Sequence, residues 1–135
     1  MAELIGAVLV LAGGFFGGML RFAVSGAVAR RIGEVFPWGT LSVNVAGALA
    51  AGALAAAARH GGGIVDVEPV HDLAVVGFLG GFTTVSSFSL QTLTLMLDGE
   101  VVRGAMNVLL SAGLCMAAVA SGFAAAAHIL PASGL

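Results

Sequence analysis

The chain has 135 residues, of which 59% are hydrophobic and only 9% are charged. Soluble domains usually carry about 25% charged residues, so this composition excludes an ordinary soluble protein and indicates a membrane protein. The formal net charge of -2, without any acidic or basic run, gives no indication of a nucleic-acid partner. Cys115 is the only cysteine, which excludes an intrachain disulfide and is typical of a small core residue.

Four apolar stretches are each long enough to cross a bilayer, which takes about 20 residues per helix. We predict helices at about residues 4–28, 38–58, 73–97 and 102–130, within one domain that covers residues 1–135. No basic residue precedes the first stretch, so we expect a retained helix rather than a cleaved signal peptide. Glycines recur there every four residues, at 13 and 17 and at 14 and 18, which predicts close helix packing. The predicted fold class is all-α, with four transmembrane helices.

The arginines give only a weak signal for orientation in the membrane. With four spans, the first and third loops share one side of the bilayer, and positive residues favour the cytoplasmic side. Those loops carry Arg30, Arg31 and Arg103, whereas the opposite side carries only Arg59. We expect that so small a difference does not fix the orientation, which leaves insertion in both directions open.

The third apolar stretch contains a run, from Gly80 to Ser89, that disfavours a continuous helix. Each interior glycine costs about 1 kcal/mol relative to alanine, and the three β-branched residues at 83 to 85 lower helix propensity further. We predict that the helix opens here. Opened backbone inside a bilayer needs protein or water as its partner, and discontinuous helices recur at ion sites. The alternative is a packed helix whose hydroxyls bond to carbonyls one turn back.

Polar residues recur every four positions on two other stretches. They are Thr40 and Asn44 on the second, and Asn107, Ser111 and Cys115 on the fourth. This spacing places each set on one helix face. The alternative interpretation is interhelical hydrogen bonding, which contributes about 0.6 kcal/mol per bond in membranes. Two polar stripes beside a broken helix favour a conduit.

The chemistry of these residues suits a small, hard anion. Hydroxyl and amide donors are present, acidic residues fall only at segment ends or in loops, and aromatic edges carry partial positive charge. An anion can exchange its hydration shell for the Asn44 amide, threonine and serine hydroxyls, and the edge of Phe88. Arg21 is the only charge within the first stretch. At 1.5 Å per residue we place it about 26 Å from Leu4, near the far interface, where it either snorkels or attracts anions.

Four patches carry a resemblance to a known family: Gly13 to Phe22, Pro37 to Gly47, Gly77 to Ser89, and the region of Ser111. The most specific strings are Gly-Thr-Leu-x-Val-Asn and Gly-Gly-Phe-Thr-Thr-x-Ser-x-Phe-Ser. In these strings the chain resembles the bacterial fluoride-specific ion channels, also called CrcB or Fluc proteins.

The resemblance implies an antiparallel, dual-topology dimer with two pores in the bacterial inner (cell) membrane. Its expected activity is passive efflux of fluoride, which relieves fluoride toxicity, and not enzymatic catalysis. The resemblance also implies a structural Na⁺ on the dimer axis, held by backbone carbonyls at positions that match Gly80 and Thr83 and not itself transported. Such a site is chemically reasonable because hard cations prefer oxygen ligands.

The resemblance assigns roles to individual residues. Asn44 matches the pore asparagine, Phe88 matches the second of two pore phenylalanines, and Thr40 and Ser111 match a polar track. The complete predicted anion pathway consists of Asn44, Phe88, Thr40, Thr84, Ser86, Ser111, Asn107, Val85 and Arg21.

The chain departs from the family pattern at three positions. Val85 replaces the usual first phenylalanine, Gln91 stands where a carboxylate often follows, and Asn107 stands where a tyrosine is common. Val85 removes one aromatic edge from the proposed fluoride path. Two hypotheses accommodate this loss: a homodimer that tolerates Val85, or a heterodimer of paired homologous subunits that each keep part of the pore.

Three other classes of function are weighed against the channel. A small dual-topology multidrug exporter needs a membrane-embedded carboxylate for proton exchange, and the sequence places none there. A non-transporting assembly subunit needs only the glycine packing motifs. An enzyme has little support, because His60, His71 and His128 lie at segment ends rather than in a cluster.

Overall fold

The structure is a computed structural model that describes residues 1–59 and 67–130. His60 and the rest of the second loop, up to residue 66, lie outside the described residues. All regular elements within those ranges are helical. They are α1 (Ala2–Ile32), α2 (Trp38–Arg59), α3 (Glu68–His71), a π-helical segment (Asp72–Leu79), α4 (Gly80–Phe82), α5 (Val85–Leu97) and α6 (Val101–Ile129).

Four helical spans are long and apolar enough to cross a membrane. Their bounds are Glu3–Ile32, Trp38–Arg59, Glu68–Leu97 and Val101–Ile129. The third of these, which we call the third span, contains α3, the π-helical segment, α4 and α5. The predicted all-α class with four apolar membrane-length helices is therefore confirmed.

Two of the observed spans are longer than the predicted ranges. α1 continues beyond residue 28 because Arg30 and Arg31 lie in its last turn, where positive charge is favourable to the helix dipole. It ends before Gly33, which takes a φ of 93°. The third span begins at Glu68 rather than at 73, because Pro69 lies in the first helical turn, where its missing N–H is not needed.

The first half of the third span packs tightly on α1, as the spacing of the glycines predicts. A Cβ atom on Gly13 would overlap the Leu73 carbonyl oxygen, and one on Gly17 would overlap the Phe78 carbonyl oxygen. This contact involves the π-helical segment, whose wider turn was not predicted from the sequence. Because no side chain separates the two backbones, α1 packs directly on the third span up to the point where the span opens.

The second close pair consists of α2 and α6. A Cβ atom on Gly52 would overlap the Val119 carbonyl oxygen, and one on Gly122 would overlap the Leu49 carbonyl oxygen. The two helix pairs meet where α2 and α1 flank the opening in the third span. This opening is the centre of the candidate site.

Candidate ion pathway

The third span opens at Thr83 and Thr84. Both residues have extended backbone, with φ and ψ of -81° and 160° at Thr83 and of -153° and 119° at Thr84. The opening falls within the predicted run from Gly80 to Ser89. A continuous helix would direct the Thr84 N–H to the Gly80 carbonyl oxygen. Here the Thr84 N–H is bound by Asn44 instead, so that helical bond is not made.

Asn44 of α2 satisfies both backbone groups of Thr84. Its Oδ1 accepts from the Thr84 N–H at 2.8 Å, and its Nδ2 donates to the Thr84 carbonyl oxygen at 2.9 Å. Buried backbone groups without partners cost several kcal/mol each in hydrocarbon, so the hydrogen bonds from this amide lower the free-energy cost of opening the helix inside a membrane. An asparagine amide carries two N–H groups, and only one is used on Thr84. The second is available to a ligand.

The Thr84 side chain begins the next helix. Its Oγ1 accepts from the Ser87 N–H at 3.1 Å, which is the usual N-cap bond, and it lies 3.1 Å from the hydroxyl oxygens of both Ser86 and Ser87. Thr84 itself is only 6% exposed. The Ser86 hydroxyl, a predicted pathway group, thus belongs to a cluster of hydroxyls at the start of α5.

Arg21 lies beside the opening and not near the end of its helix. Its Nη1 donates to the Thr83 carbonyl oxygen over 3.4 Å, and the side chain is half-buried. α1 continues to Ile32 and packs along the third span, which brings residue 21 level with the break. The predicted depth of Arg21 in the membrane stays a prediction.

A small polar cavity of about 250 Å³, here called the chamber, has Arg21 in its lining. Among the described residues that line it, Arg21 carries the only charge, and the Thr40 hydroxyl makes no side-chain hydrogen bond. A positive charge beside free hydroxyl donors, without a carboxylate, is an environment for an anion. The lining consists of Gly18, Arg21, Phe22, Ser25, Thr40, Thr84 and Ser87.

A larger cavity of about 740 Å³, here called the vestibule, adjoins the chamber and shares four of its lining residues. It extends to the first and third loops, where Glu34, Asp98, Glu100 and Arg103 lie along it. Arg103 pairs with Glu100 at 3.1 Å. The residues shared by the two cavities are Phe22, Ser25, Thr40 and Ser87.

Several vestibule residues are not among the predicted pathway residues. Ser87, Gln91 and Thr94 lie on one face of α5, at a spacing of four and then three residues that is readable from the sequence. Gln91 Oε1 is the one buried side-chain oxygen or nitrogen without a partner that the described part of the chain contains. An open cavity beside it can supply water to this oxygen.

An open groove of about 690 Å³, here called the groove, lies on the other side of Thr84. It brings together five predicted pathway residues, and Val85 among them is 76% exposed. Thr84 lines both the groove and the chamber, so the hydroxyl cluster at the break separates the two spaces. The five predicted residues on the groove are Asn44, Thr84, Val85, Phe88 and Ser111.

The predicted cation ligands also lie on the groove. The Thr84 N–H is the usual helical donor to the Gly80 carbonyl oxygen, and here it binds Asn44 instead. Among the described hydrogen bonds, the Thr83 carbonyl oxygen accepts only the long bond from Arg21. Within residues 1–59 and 67–130, no three His, Cys, Asp or Glu side chains form a metal-binding group. Carbonyl oxygens are the kind of ligand that a hard cation prefers.

Asn107 lies outside all three cavities. Its side chain is only 2% exposed, and its Nδ2 donates to Thr92 Oγ1 at 2.8 Å. The Ser111 hydroxyl reaches back to Asn107 Oδ1 over 3.5 Å. The polar stripe on α6 is therefore divided: Ser111 and Cys115 line the groove, whereas Asn107 faces the interior between α5 and α6.

Comparisons with known proteins agree with the motifs around the break. A family model described as CrcB-like protein, Camphor Resistance (CrcB), matches residues 8–123. The fluoride-specific ion channel FluC 2 of Rhodopseudomonas palustris (strain BisB18) is 56% identical over 127 residues, covering 93% of this chain and 97% of that protein. FluC 4 of Brucella abortus biovar 1 (strain 9-941) is 53% identical over 116 residues, covering 86% and 87%.

A more distant relative has the same name. The fluoride-specific ion channel FluC of Methylocella silvestris is 42% identical over 120 residues, which cover 89% of this chain and 92% of that protein. The family model and these relatives all span most of the four helices, so the likeness is not confined to one motif. The chain therefore belongs to the CrcB-like family, which confirms the family predicted from its sequence.

Proposed function

We propose that this chain forms a fluoride-selective channel that passes F⁻ passively out of the cell. The observation that carries the proposal is that the vestibule adjoins the chamber and the chamber adjoins the groove at Thr84, with Arg21 as the only charge among the described residues that line the chamber. The homologous proteins named fluoride-specific ion channels support fluoride as the ion.

The route offers a sequence of donors that replace water around a small anion. Arg21 attracts F⁻ into the chamber, where the free Thr40 hydroxyl donates to it. Past the hydroxyl cluster of Thr84, Asn44 and Phe88 line the groove, where the second amide N–H and the ring edge would be the donors. Because each donor is neutral beyond Arg21, the anion is bound weakly enough to move on.

Fluoride efflux from proteoliposomes tests this function directly. Purified protein is reconstituted with internal fluoride, a potassium ionophore supplies the counter-current, and an electrode records the fluoride released. We expect rapid efflux from the wild type and a strong reduction with Phe88→Ala. Absence of efflux, both for the chain alone and with a co-expressed homologous subunit, would refute the proposal.

We further infer that the channel is an antiparallel dimer of chains inserted in both orientations in the bacterial inner membrane. Two observations support this: the groove leaves Gly80 and Val85 exposed, and the arginines differ little between the two sides. A protease site fused to the C-terminus tests the orientation in intact cells. Cleavage of about half the molecules from outside is expected, whereas complete cleavage or complete protection contradicts dual topology.

A homodimer is the simpler assembly, and a heterodimer of paired subunits is the alternative that Val85 raises. In a heterodimer, the partner would supply the aromatic edge that this chain lacks. Reconstitution of this chain alone separates the two, because fluoride efflux from a pure dimer contradicts an obligate heterodimer.

A structural Na⁺ at the break is the last part of the proposal. The carbonyl oxygens of Gly80 and Thr83 fit a hard cation chemically, but two oxygens are fewer than the about six that such ions take, so a second copy would have to add its own. Positive Arg21 beside Thr83 opposes the cation, which makes the site weak in one isolated chain. We expect the dimer to melt at a lower temperature when Na⁺ is replaced by N-methylglucamine. An unchanged melting temperature contradicts the site.

A further inference from the structure

A chain of hydrogen bonds runs from the interior of α6 to the backbone of Phe88. Asn107 Nδ2 donates to Thr92 Oγ1 at 2.8 Å, and Thr92 Oγ1 donates to the Phe88 carbonyl oxygen at 2.7 Å. The side chains of Asn107 and Thr92 are both buried. Because a threonine hydroxyl has one proton and uses it on Phe88, the Asn107 amide has to be the donor of the other bond.

This chain of bonds lies where α5 has little other support. Before the break, the third span is held against the backbone of α1, whereas α5 packs chiefly on α6 and meets α2 at few points. α6 comes close to α5 at Gly104, where a Cβ atom would lie 3.5 Å from the Thr92 carbonyl oxygen. The rotation of α5 about its own axis therefore depends mainly on its contacts with α6. Asn107 supplies the one side-chain hydrogen bond between α5 and α6 among the described residues.

We propose that Asn107 is a positioning residue, which acts through Thr92 to hold the ring of Phe88 towards the groove, and that it does not contact the anion. The inference rests on the proposed channel function, because it assigns Phe88 a place on the anion path. It also explains why a buried amide belongs at this position: a helix free to rotate would carry Phe88 away from the groove, and two buried bonds in series resist that rotation.

The double variant Thr92→Val/Asn107→Leu tests the inference by removing both partners of the buried Asn107–Thr92 bond. Replacing both partners by apolar residues of similar shape is nearly neutral for folding, unlike removal of one partner. Ser121→Ala is the matched control. Ser121 donates to the Ala117 carbonyl oxygen at 2.7 Å, the same kind of bond as Thr92 makes, but it lies on the exposed face of α6.

The first measurement is the ¹⁹F NMR signal of 4-fluorophenylalanine placed at Phe88 in the purified protein. We expect one narrow signal in the wild type and in Ser121→Ala, and a shifted, broadened or split signal in the double variant. An unchanged signal in the double variant overturns the inference. This measurement does not require conduction, so it decides on positioning even if the channel function itself is refuted.

The second measurement is fluoride flux in a cycle with Phe88→Met. We expect the double variant to lower flux roughly tenfold in the wild-type background, as displacement of a contact group does. In the Phe88→Met background the double variant should change flux by less than about twofold, because the aromatic ring that it displaces is already absent. Equal effects in both backgrounds overturn the inference. Asn107→Leu alone, which keeps the Thr92–Phe88 bond, replaces the double variant in both measurements if the latter does not fold.

Discussion

Asn44 and Thr84, which lie on different helices, are joined through both amide atoms of Asn44 and both backbone groups of Thr84, at 2.8 and 2.9 Å. At the opening of the third span, the Asn44 amide binds the N–H and the carbonyl of one residue, as an adjacent strand does in a β-sheet. One side chain therefore both keeps the helix open and presents its remaining N–H to the groove.

Asn44→Leu should destabilise the protein and abolish most of its fluoride flux. The substitution leaves the Thr84 N–H unpaired, which costs about 1–3 kcal/mol, and removes the Asn44 bond to the Thr84 carbonyl oxygen. Thermal melting and proteoliposome efflux measure the two effects. Ser42→Ala, at an exposed position of the same helix, is the control and should change neither. An Asn44→Leu variant with wild-type melting and flux contradicts the bridging role.

Gly47→Ala should distort the break, because the added methyl would overlap Cγ2 of Thr83. Overpacking of this kind costs about 1–3 kcal/mol, and the shift falls on the residue that starts the extended segment. Thr83→Ser removes the obstructing methyl and keeps the hydroxyl that donates to the Leu79 carbonyl oxygen at 3.1 Å. The double variant should therefore recover both melting temperature and flux.

Gly113→Ala is the control for this pair, since no atom lies within 4 Å of the added methyl. It should be neutral or stabilising, because alanine favours a helix by about 1 kcal/mol over glycine. Failure of Thr83→Ser to rescue Gly47→Ala would show that the damage does not arise at Thr83.

Arg21→Gln should lower fluoride flux, with the larger reduction at low ionic strength. The substitution removes the only charge among the described residues of the chamber, and salt screens such attraction less when it is dilute. Efflux is compared at about 10 mM and 150 mM salt. Arg59→Gln is the control: Arg59 is exposed, with its guanidinium 5.8 Å from the Phe123 ring centre, away from the chamber. Equal reduction by both variants contradicts a local role for Arg21.

Val85→Phe should raise fluoride flux in a homodimer. Val85 is 76% exposed on the groove, so a larger ring meets little obstruction within the chain and restores an aromatic edge to the path. Val85→Leu is the control for size without aromatic character. A decrease with Phe and an unchanged flux with Leu would mean that the ring blocks the route in this chain.

Residues with identical spacing along one helix face had different structural outcomes. Thr40 and Asn44 on α2, and Asn107 and Ser111 on α6, both recur at four residues and both predicted a pathway stripe. Thr40, Asn44 and Ser111 line cavities, whereas Asn107 is turned towards Thr92. Spacing defines a face of a helix but not the neighbour that each residue on that face meets, because that depends on how the adjoining helices pack along it.

The sequence by itself determined the four spans, the family and the run in which the third span opens. Apolar length and low helix propensity are local properties, which residues carry wherever they are placed. Only the tertiary structure decided that Asn44 bridges Thr84, that Arg21 lies at the break and that Asn107 supports α5. Those relationships join residues far apart in the chain, and they follow from how closely glycine lets the helix backbones approach and from the rotation at which each helix packs.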